Sequence, residues 1–439
     1  MKTRMMAMVL ACCSTMTGQI SSYLGPGILT RGAGDIGTRA GQDVDLRFFV
    51  NATGIYDNGL QPFSVDSTGQ LATVNGLWGT EVALGAYGVH KFRHSRLGLD
   101  YKGTYRHYTE QSFYDGSDHQ LALGYTYQPS RRLVFDLRQL AGTVSQVTSF
   151  AGSLPAVADA VVTPSSLLFD NRASYLQSTM DVNFIQSDRT VMTFGGSGFD
   201  VWRKATGLIG MQGYSLQGSI RRRISRRTTL GVTYQHAHYD YPKAFGQADI
   251  NTFSATWAAQ LSRNWIASAE GGVFLAEVQG LQQVAVDPAI TALLGVTSTV
   301  QTFYAKSTFP KWRVTLGRKF QRAQLSLQYG IDASGGNGVY LTSRQESGSA
   351  SFSYTATRKW SFSVTAANTR LDGIGQNLPG YSQIIGGAGV TYSITNPIHI
   401  VARYDARHQD IVDAAFRQTS DRVTFGISFS PGDIPLAFH

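Results

Sequence analysis

The chain has little of what soluble proteins of its length rely on. Only 15% of its 439 residues are charged, and its 2 cysteines, Cys12 and Cys13, are adjacent and near the start. Beyond them no thiol remains, so neither a disulfide framework nor a cysteine metal cluster holds the rest together. No apolar run approaches the ~18 residues of a membrane-crossing helix, which excludes helical spanning. The 12 prolines are few, whereas Gly 47, Tyr 21 and Phe 23 are plentiful, a balance that suits closely packed, aromatic-rich strands. There is no P-loop, no GxSxG, no paired carboxylates and no cysteine cluster. Gly32, Gly34 and Gly37 do match GxGxxG, but no strand precedes them and no helix follows, so the dinucleotide fingerprint is empty.

What is present is alternation. Lys2 and Arg4 precede the apolar run Met5 to Cys13, followed by small residues, so residues 1–21 read as a signal peptide. A lipoprotein reading, with Cys12 acylated after Val9, Leu10 and Ala11, needs a longer apolar run ahead of the cysteine. Residues 22–43 are a Gly-rich lead-in, 44–431 the strand region, and 432–439 a short tail. Period-two patterning predicts about eighteen strands: 44–56, 76–92, 96–110, 118–128, 132–147, 172–187, 189–204, 209–225, 227–241, 247–262, 264–279, 310–320, 323–334, 344–357, 359–371, 380–395, 397–411 and 416–430. In the last of them Val423, Phe425, Ile427 and Phe429 alternate with Arg422, Thr424, Gly426 and Ser428, giving one greasy and one polar face. Very short turns, at 93, 129, 187, 225, 262, 320, 357 and 395, alternate with connections that are usually longer, notably 57–75, 148–171 and 280–309. A sandwich or propeller does not keep that parity throughout. An up-and-down barrel does, with short periplasmic turns and longer external loops.

Short turns, aromatic-rich alternating strands and a last strand ending in Phe429 resemble a Gram-negative outer-membrane β-barrel. The phrases SYLGPGIL, LGLDYKGTYRHY, SRRLVFDLR and FGISFSPGDIPL are similar to porin-like barrels of acidobacterial type, over nearly the whole chain. The resemblance implies outer-membrane lipid and lipopolysaccharide as surroundings and the barrel assembly machinery as a partner, which reads the terminal aromatic strand. Here PGDIPLAFH follows Phe429, a departure from that ending. The resemblance implies location and no activity.

The net charge of +9 suggests an anion-conducting lumen until the charges are sorted by place. Arg93, Arg96, Arg131, Arg132, Arg189, Arg226, Arg227, Arg263, Arg322, Arg358 and Lys359 crowd the short turns against Asp188 alone, and so account for the excess. Cations at that rim would meet phospholipid headgroups. The parity opposite the greasy residues carries Arg47, Lys102, Arg106, Arg138, Arg221, Arg223, Lys311, Arg313, Arg403, Arg407 and Arg422. Against these stand Asp45, Glu81, Asp100, Asp136, Asp181, Glu270, Asp332 and Asp405. A nearly balanced wall points to cross-strand ion-pair ladders, each worth ~0.2–1 kcal/mol. A constriction weakly selective for anions or polar sugars is the other reading, with Arg221, Arg223, Arg403 and Arg407 its first residues.

In the connection 280–309, Asp287, Pro288 and Gly295 have the order of a helix cap, first turn and end, so a short helix is expected over or in the mouth. The connection 148–171 is similarly apolar. His236 and His238 share the lipid-facing parity two residues apart, a spacing that could hold a metal, but an interfacial girdle with Tyr234, Tyr239 and Tyr241 accounts for them without one.

The sequence therefore predicts an all-β protein: a single closed antiparallel transmembrane barrel of about eighteen strands, without cofactor or nucleic acid, with its oligomeric state open. Too few residues precede the first strand for a plug domain, so a passive channel for small polar or anionic solutes leads. A conduit exporting a polysaccharide is the alternative, and a structural or enzymatic outer-membrane barrel the third reading.

Overall fold

In the computed structural model the described residues are 47–60, 64–65, 71–72, 76–144, 172–285, 298–336, 338–357, 359–375, 378, 380–395, 397–411 and 417–429. The expected signal peptide, lead-in, tail, Asp45, Arg358, the connection 148–171 and the helix at Asp287–Gly295 lie outside them.

Eighteen strands form one sheet: β1 Arg47–Asn58, β2 Leu77–Lys91, β3 Ser95–Tyr108, β4 Gly116–Tyr127, β5 Leu133–Val144, β6 Ala173–Ile185, β7 Thr190–Arg203, β8 Met211–Arg223 and β9 Thr228–Tyr241 make the first half. The second half is β10 Gly246–Gln260, β11 Trp265–Ala285, β12 Ser298–Lys319, β13 Ala323–Ser334, β14 Ser343–Thr355, β15 Trp360–Gly373, β16 Tyr381–Ser393, β17 Ile398–Ile411 and β18 Arg417–Phe429. Each strand pairs antiparallel with the next, and β1 pairs with both β2 and β18, which closes the barrel. Val50 stands opposite Phe429 and Asp57 opposite Arg422 across the closing seam. Eighteen strands ~4.8 Å apart and tilted ~40° give a backbone radius of about 18 Å.

The two faces separate as the alternation requires. Outside, Leu84, Leu137, Met180, Phe194, Leu216, Val232, Phe253, Val364, Ile384 and Phe425 are all exposed, and Phe425 keeps 62% of its surface. Their in-between neighbours, such as Ala83, Ser219, Ser254, Ser363 and Arg422, point inward and are buried. At the short-turn end the same device recurs. A Ser or Thr hydroxyl accepts backbone N–H groups two or three residues on, as Ser130 does from Arg132 and Leu133, Ser187 from Arg189 and Thr190, Ser225 from Arg227 and Thr228, and Thr357 from Lys359 and Trp360. The hydroxyl fixes the turn, and the cations that follow it project into solvent. Near this end Arg318 lies over Trp265 and Phe320, 4.7 and 4.3 Å from the ring centres.

The structure corrects the expectation for 280–309. β11 and β12 continue through most of that stretch, pairing from Trp265↔Arg318 to Ala285↔Ser298. The strand expected over 310–320 begins on Pro310, which cannot donate to a ladder. It is tolerated because β12 pairs with β13 only from Trp312↔Ile331 to Lys319↔Gln324, so Pro310 lies above the last rung on that side. Above it, no described residue pairs with the second edge of β12.

Candidate functional site

The candidate site is the inward face of the barrel, and its register follows from the ladders. Every basic residue predicted to line it lies on the inward parity. Arg47 pairs with Tyr87 on that parity, its side chain being outside the described residues. The wall divides into sectors. From β17 round through β18 and β1 to β4 it carries opposite charges in contact, and β11 to β13 do so on the far side; β14 to β16 present only neutral side chains, among them Ser347, Ser349, Ser351, Ser363, Thr365 and Gln383.

Four ion-pair groups organise the charged sectors. At the seam Arg422 grips Asp57 with Nε at 2.6 Å and Nη2 at 2.9 Å, while Tyr108 Oη donates to Asp57 at 2.5 Å and accepts from Arg422 at 3.1 Å. Asp57 and Arg422 are 1% and 3% exposed, so the pair is out of water. Next to it Arg106 bridges Glu81 and Asp118, both at 2.5 Å. Arg403 holds Asp405 two residues along its own strand. Arg407, fully buried, donates to Ser420 Oγ at 3.3 Å. On the far side Lys311 lies 3.2 Å from Glu270 and 3.4 Å from Asp332, which also takes Arg313 at 3.1 Å. Between these groups Asp136 accepts from Thr126 and Asn183, and Asp181 accepts from Gln217 within electrostatic range of Arg138 and Arg221. Arg223 is half-buried near the short turns. Lys102 makes no ion pair among the described residues, with Glu81, Arg106, Asp118 and Arg403 acting on it only at longer range.

The paired cations form the ladders expected of a balanced wall. Three partners escaped the sequence reading. Asp57 fell just past the assigned end of the first strand, Asp118 was omitted from the lumen set, and Tyr108 was counted only as an aromatic. Continuing the first strand's alternation by one residue would have placed Asp57 on the inward face, which also carries Arg422.

The largest element missed is the connection between β13 and β14. Its described residues, 335–336 and 338–342, turn inward as a strap at the long-loop end. Tyr241 Oη donates to Gly335 O at 3.2 Å and lies 3.0 Å from Thr342 Oγ1. The Ile209 N–H, before β8, donates to Gly338 O, and the Ile374 N–H, after β15, to Thr342 O. Tyr340 packs against Tyr381 on β16. The strap thus reaches from the approach to β8 as far as β16. Beneath it Leu341 joins Met211, Tyr241, Ile250, Phe274, Val278 and Ile374 in a buried apolar cluster, an unusual filling for an inner wall. Gly336 and Gly338 have φ of +79° and +91°. A side chain at Gly335 would collide with Met211, and one at Gly338 with Arg203, so the crossing depends on glycine. The run Gly335-Gly336-Asn337-Gly338 was the available sequence signal.

Three imidazoles approach carboxylates, His107 at Asp115 and His236 and His238 at Asp249. Among the described residues no serine hydroxyl bonds to any of them.

No family model matches the chain, and no curated sequence matches it. Among solved structures it is similar to OccAB2 of Acinetobacter baumannii, at 10% identity and a TM-score of 0.42, over 89% of this chain and 100% of that one. OccK2 (OpdF) of Pseudomonas aeruginosa, solved in complex with glucuronate, is similar at 12% identity and a TM-score of 0.40, again over 89% and 100%. The outer membrane protein OpdK of Pseudomonas aeruginosa is similar at 10% identity and a TM-score of 0.41, over 88% of this chain and 99% of that one.

Proposed function

We propose that the chain is an outer-membrane channel for passive diffusion of small polar solutes, weakly preferring anions or sugars. The observation that carries this is the division of one closed sheet into an apolar outer face and a polar, ion-paired inner face. A sheet with its greasy side outward has lipid as its natural surroundings, and closure leaves no unpaired edge within the belt. A barrel of this circumference exceeds what its own side chains fill, so water occupies the remainder. The strap narrows one end, which favours small solutes over polymer export.

On this reading the short turns face the periplasm, and the strap guards the external mouth. The surroundings are outer-membrane lipid and lipopolysaccharide, insertion is by the barrel assembly machinery, and residues 1–21 direct export. Arg47, Lys102, Arg106, Arg138, Arg221, Arg223, Arg313, Arg403, Asp405, Arg407 and Arg422 line the path. Most of these charges are matched, so selectivity is weak and falls to the least matched of them, Lys102. The family-level resemblance to acidobacterial-type barrels belongs to the same proposal.

Planar-bilayer recording tests it. The purified protein should give discrete conductance steps, and under a salt gradient Lys102→Glu should move the reversal potential toward cations. Absence of conductance at every potential would remove the channel reading; a reversal potential indifferent to Lys102→Glu would remove that residue from the path.

A further inference from the structure

At the short-turn end of β8 a cation stands on the lipid-facing parity. Arg222 lies between Ile220 and Ile224 on that face, and all three are exposed, the two isoleucines at 46% and 56%. Its partners across the ladders are Thr190 on β7 and Leu230 on β9. No acid among the described residues pairs with it, and Asp188, in the neighbouring turn, is the one acid among the described short-turn residues. A guanidinium on such a wall is costly unless it reaches an anion. Three more exposed cations surround it. The Arg223 N–H donates to Arg189 O at 2.7 Å, so the turn between β6 and β7 lies against the end of β8. Arg226 and Arg227 follow in the turn between β8 and β9, which adjoins β10 through the Gln260 N–H donating to Arg227 O at 2.8 Å. The short turns also present large apolar side chains: Phe92, Ile224, Leu261 and Ile394 are the last residues of the lipid-facing parity before four of them, and each is about half exposed.

The geometry points to a binding site for an anionic phospholipid on this rim: Arg222 grips the phosphodiester, the acyl chains lie along Ile220 and Ile224, and Arg189, Arg226 and Arg227 supply the surrounding positive field. The site rests on the outer wall facing lipid and not on conduction. An arginine one rung inside the edge of an apolar belt snorkels. Its stem covers apolar wall, and its planar fork reaches back to the headgroup level, where it takes two phosphate oxygens at once. The partner follows from charge and apolar surface together. A ring of cations alone would suit a soluble or cell-wall polyanion equally well, but Ile224 and Leu261, exposed between those cations, would then face water. A lipid accommodates both, with hydrocarbon for the apolar side chains and phosphate for the arginines. Among lipids, net charge decides. A zwitterionic headgroup carries its own ammonium, which Arg226 and Arg227 repel, whereas phosphatidylglycerol carries an uncompensated negative charge. Arg221 and Arg223, on either side of Arg222 in the chain, have the inward parity, so lipid outside and solute inside meet adjacent residues of one strand without sharing a side chain.

Native mass spectrometry of the protein extracted from vesicles of equal phosphatidylethanolamine and phosphatidylglycerol tests it. The wild type should retain phosphatidylglycerol in excess, and Arg222→Gln should lower the retained ratio about fivefold, the worth of one cation at an anionic surface. Arg226→Gln with Arg227→Gln should lower it as well. Arg131→Gln with Arg132→Gln, in a turn whose strands carry no arginine on the lipid-facing parity, should leave most of the excess. Inorganic phosphate at the same ionic strength should not displace the lipid. None of these residues lines the lumen, so single-channel conductance should stay at the wild-type value, and heat-modifiable migration on a gel verifies that each variant is folded. Equal retention of the two lipids by the wild type, an unchanged ratio in Arg222→Gln, an equal loss in the Arg131 and Arg132 variant, or displacement by phosphate overturns the site and leaves the channel intact. A wild type that does not insert into the vesicles removes both.

Discussion

Removing the strap should widen the channel by a calculable amount. Deleting residues 336–341 leaves Gly335 and Thr342 as a two-residue turn between the last paired residues, Ser334 and Ser343, and a glycine at the first turn position suits a type II′ hairpin. None of the strand ladders includes a deleted residue, so the barrel should close as before. The stability lost is that of Tyr340 and Leu341, both nearly buried, or about 3–6 kcal/mol at ~1.5–3 kcal/mol each. The gain in area follows from how far the strap reaches. With both ends on paired strands, eight residues at ~3.4 Å each reach inward at most about 14 Å, and at ~10 Å wide they cover about 140 Å², roughly a seventh of a ~1,000 Å² section. With that end the narrowest, conductance should rise about 1.15-fold in single-channel recording. A deletion variant that inserts normally and conducts like the wild type would refute the assignment of the constriction to the strap, and a fall in conductance would refute its placement over the opening.

Three further outcomes follow. Asp57→Asn leaves the Arg422 guanidinium buried beside a neutral group and should lower stability against denaturant in lipid vesicles by about 3–5 kcal/mol, part of which Arg422→Gln should restore in the double variant; a loss below about 1 kcal/mol would contradict a dry pair. Phe425→Arg, near mid-belt on the outer face, should cost about 2–4 kcal/mol in the same assay, whereas a soluble protein would tolerate a cation at a side chain that is 62% exposed. In the loop before β4, burial alone would raise the Asp115 carboxyl, but the Tyr108 backbone N–H at 2.7 Å and the His107 ring at 2.8 Å outweigh it and hold the pKa below the ordinary range. A depressed carboxylate stabilises above its unfolded pKa, so hydrogen-exchange protection of residues 109–115, corrected for intrinsic rate, should hold from neutral pH to about 4 and be lost below it, and Asp115→Asn should be unprotected throughout.

The barrel was legible because its wall obeys a rule with period two. A strand with lipid on one side and water on the other cannot slip by one residue without turning every side chain over, so alternation alone placed Lys102, Arg138, Arg221, Arg403 and Arg422 inward. The short turns were legible from their recurring serine and arginine. The strap was not, because its position depends on a Tyr241 hydroxyl and an Ile209 N–H that come from distant strands. The extension of β11 and β12 was obscured by Gly280 and Pro310, residues that weaken a strand in isolation and are harmless where one neighbour has stopped pairing. The pairing of His238 with Asp249 needed the register of two strands, which period two does not supply.

The Asp57–Arg422 clasp also sets an order of events. Its two members are 365 residues apart, so it cannot form until the last strand arrives beside the first. Until then the growing sheet has two free edges, and unpaired backbone is intolerable in hydrocarbon. Whatever delivers the chain to lipid must therefore shelter those edges up to the final pairing. The clasp contributes nothing to the speed of assembly and acts afterwards, as a latch against reopening: Asp57→Asn should leave the rate of insertion unchanged and accelerate unfolding.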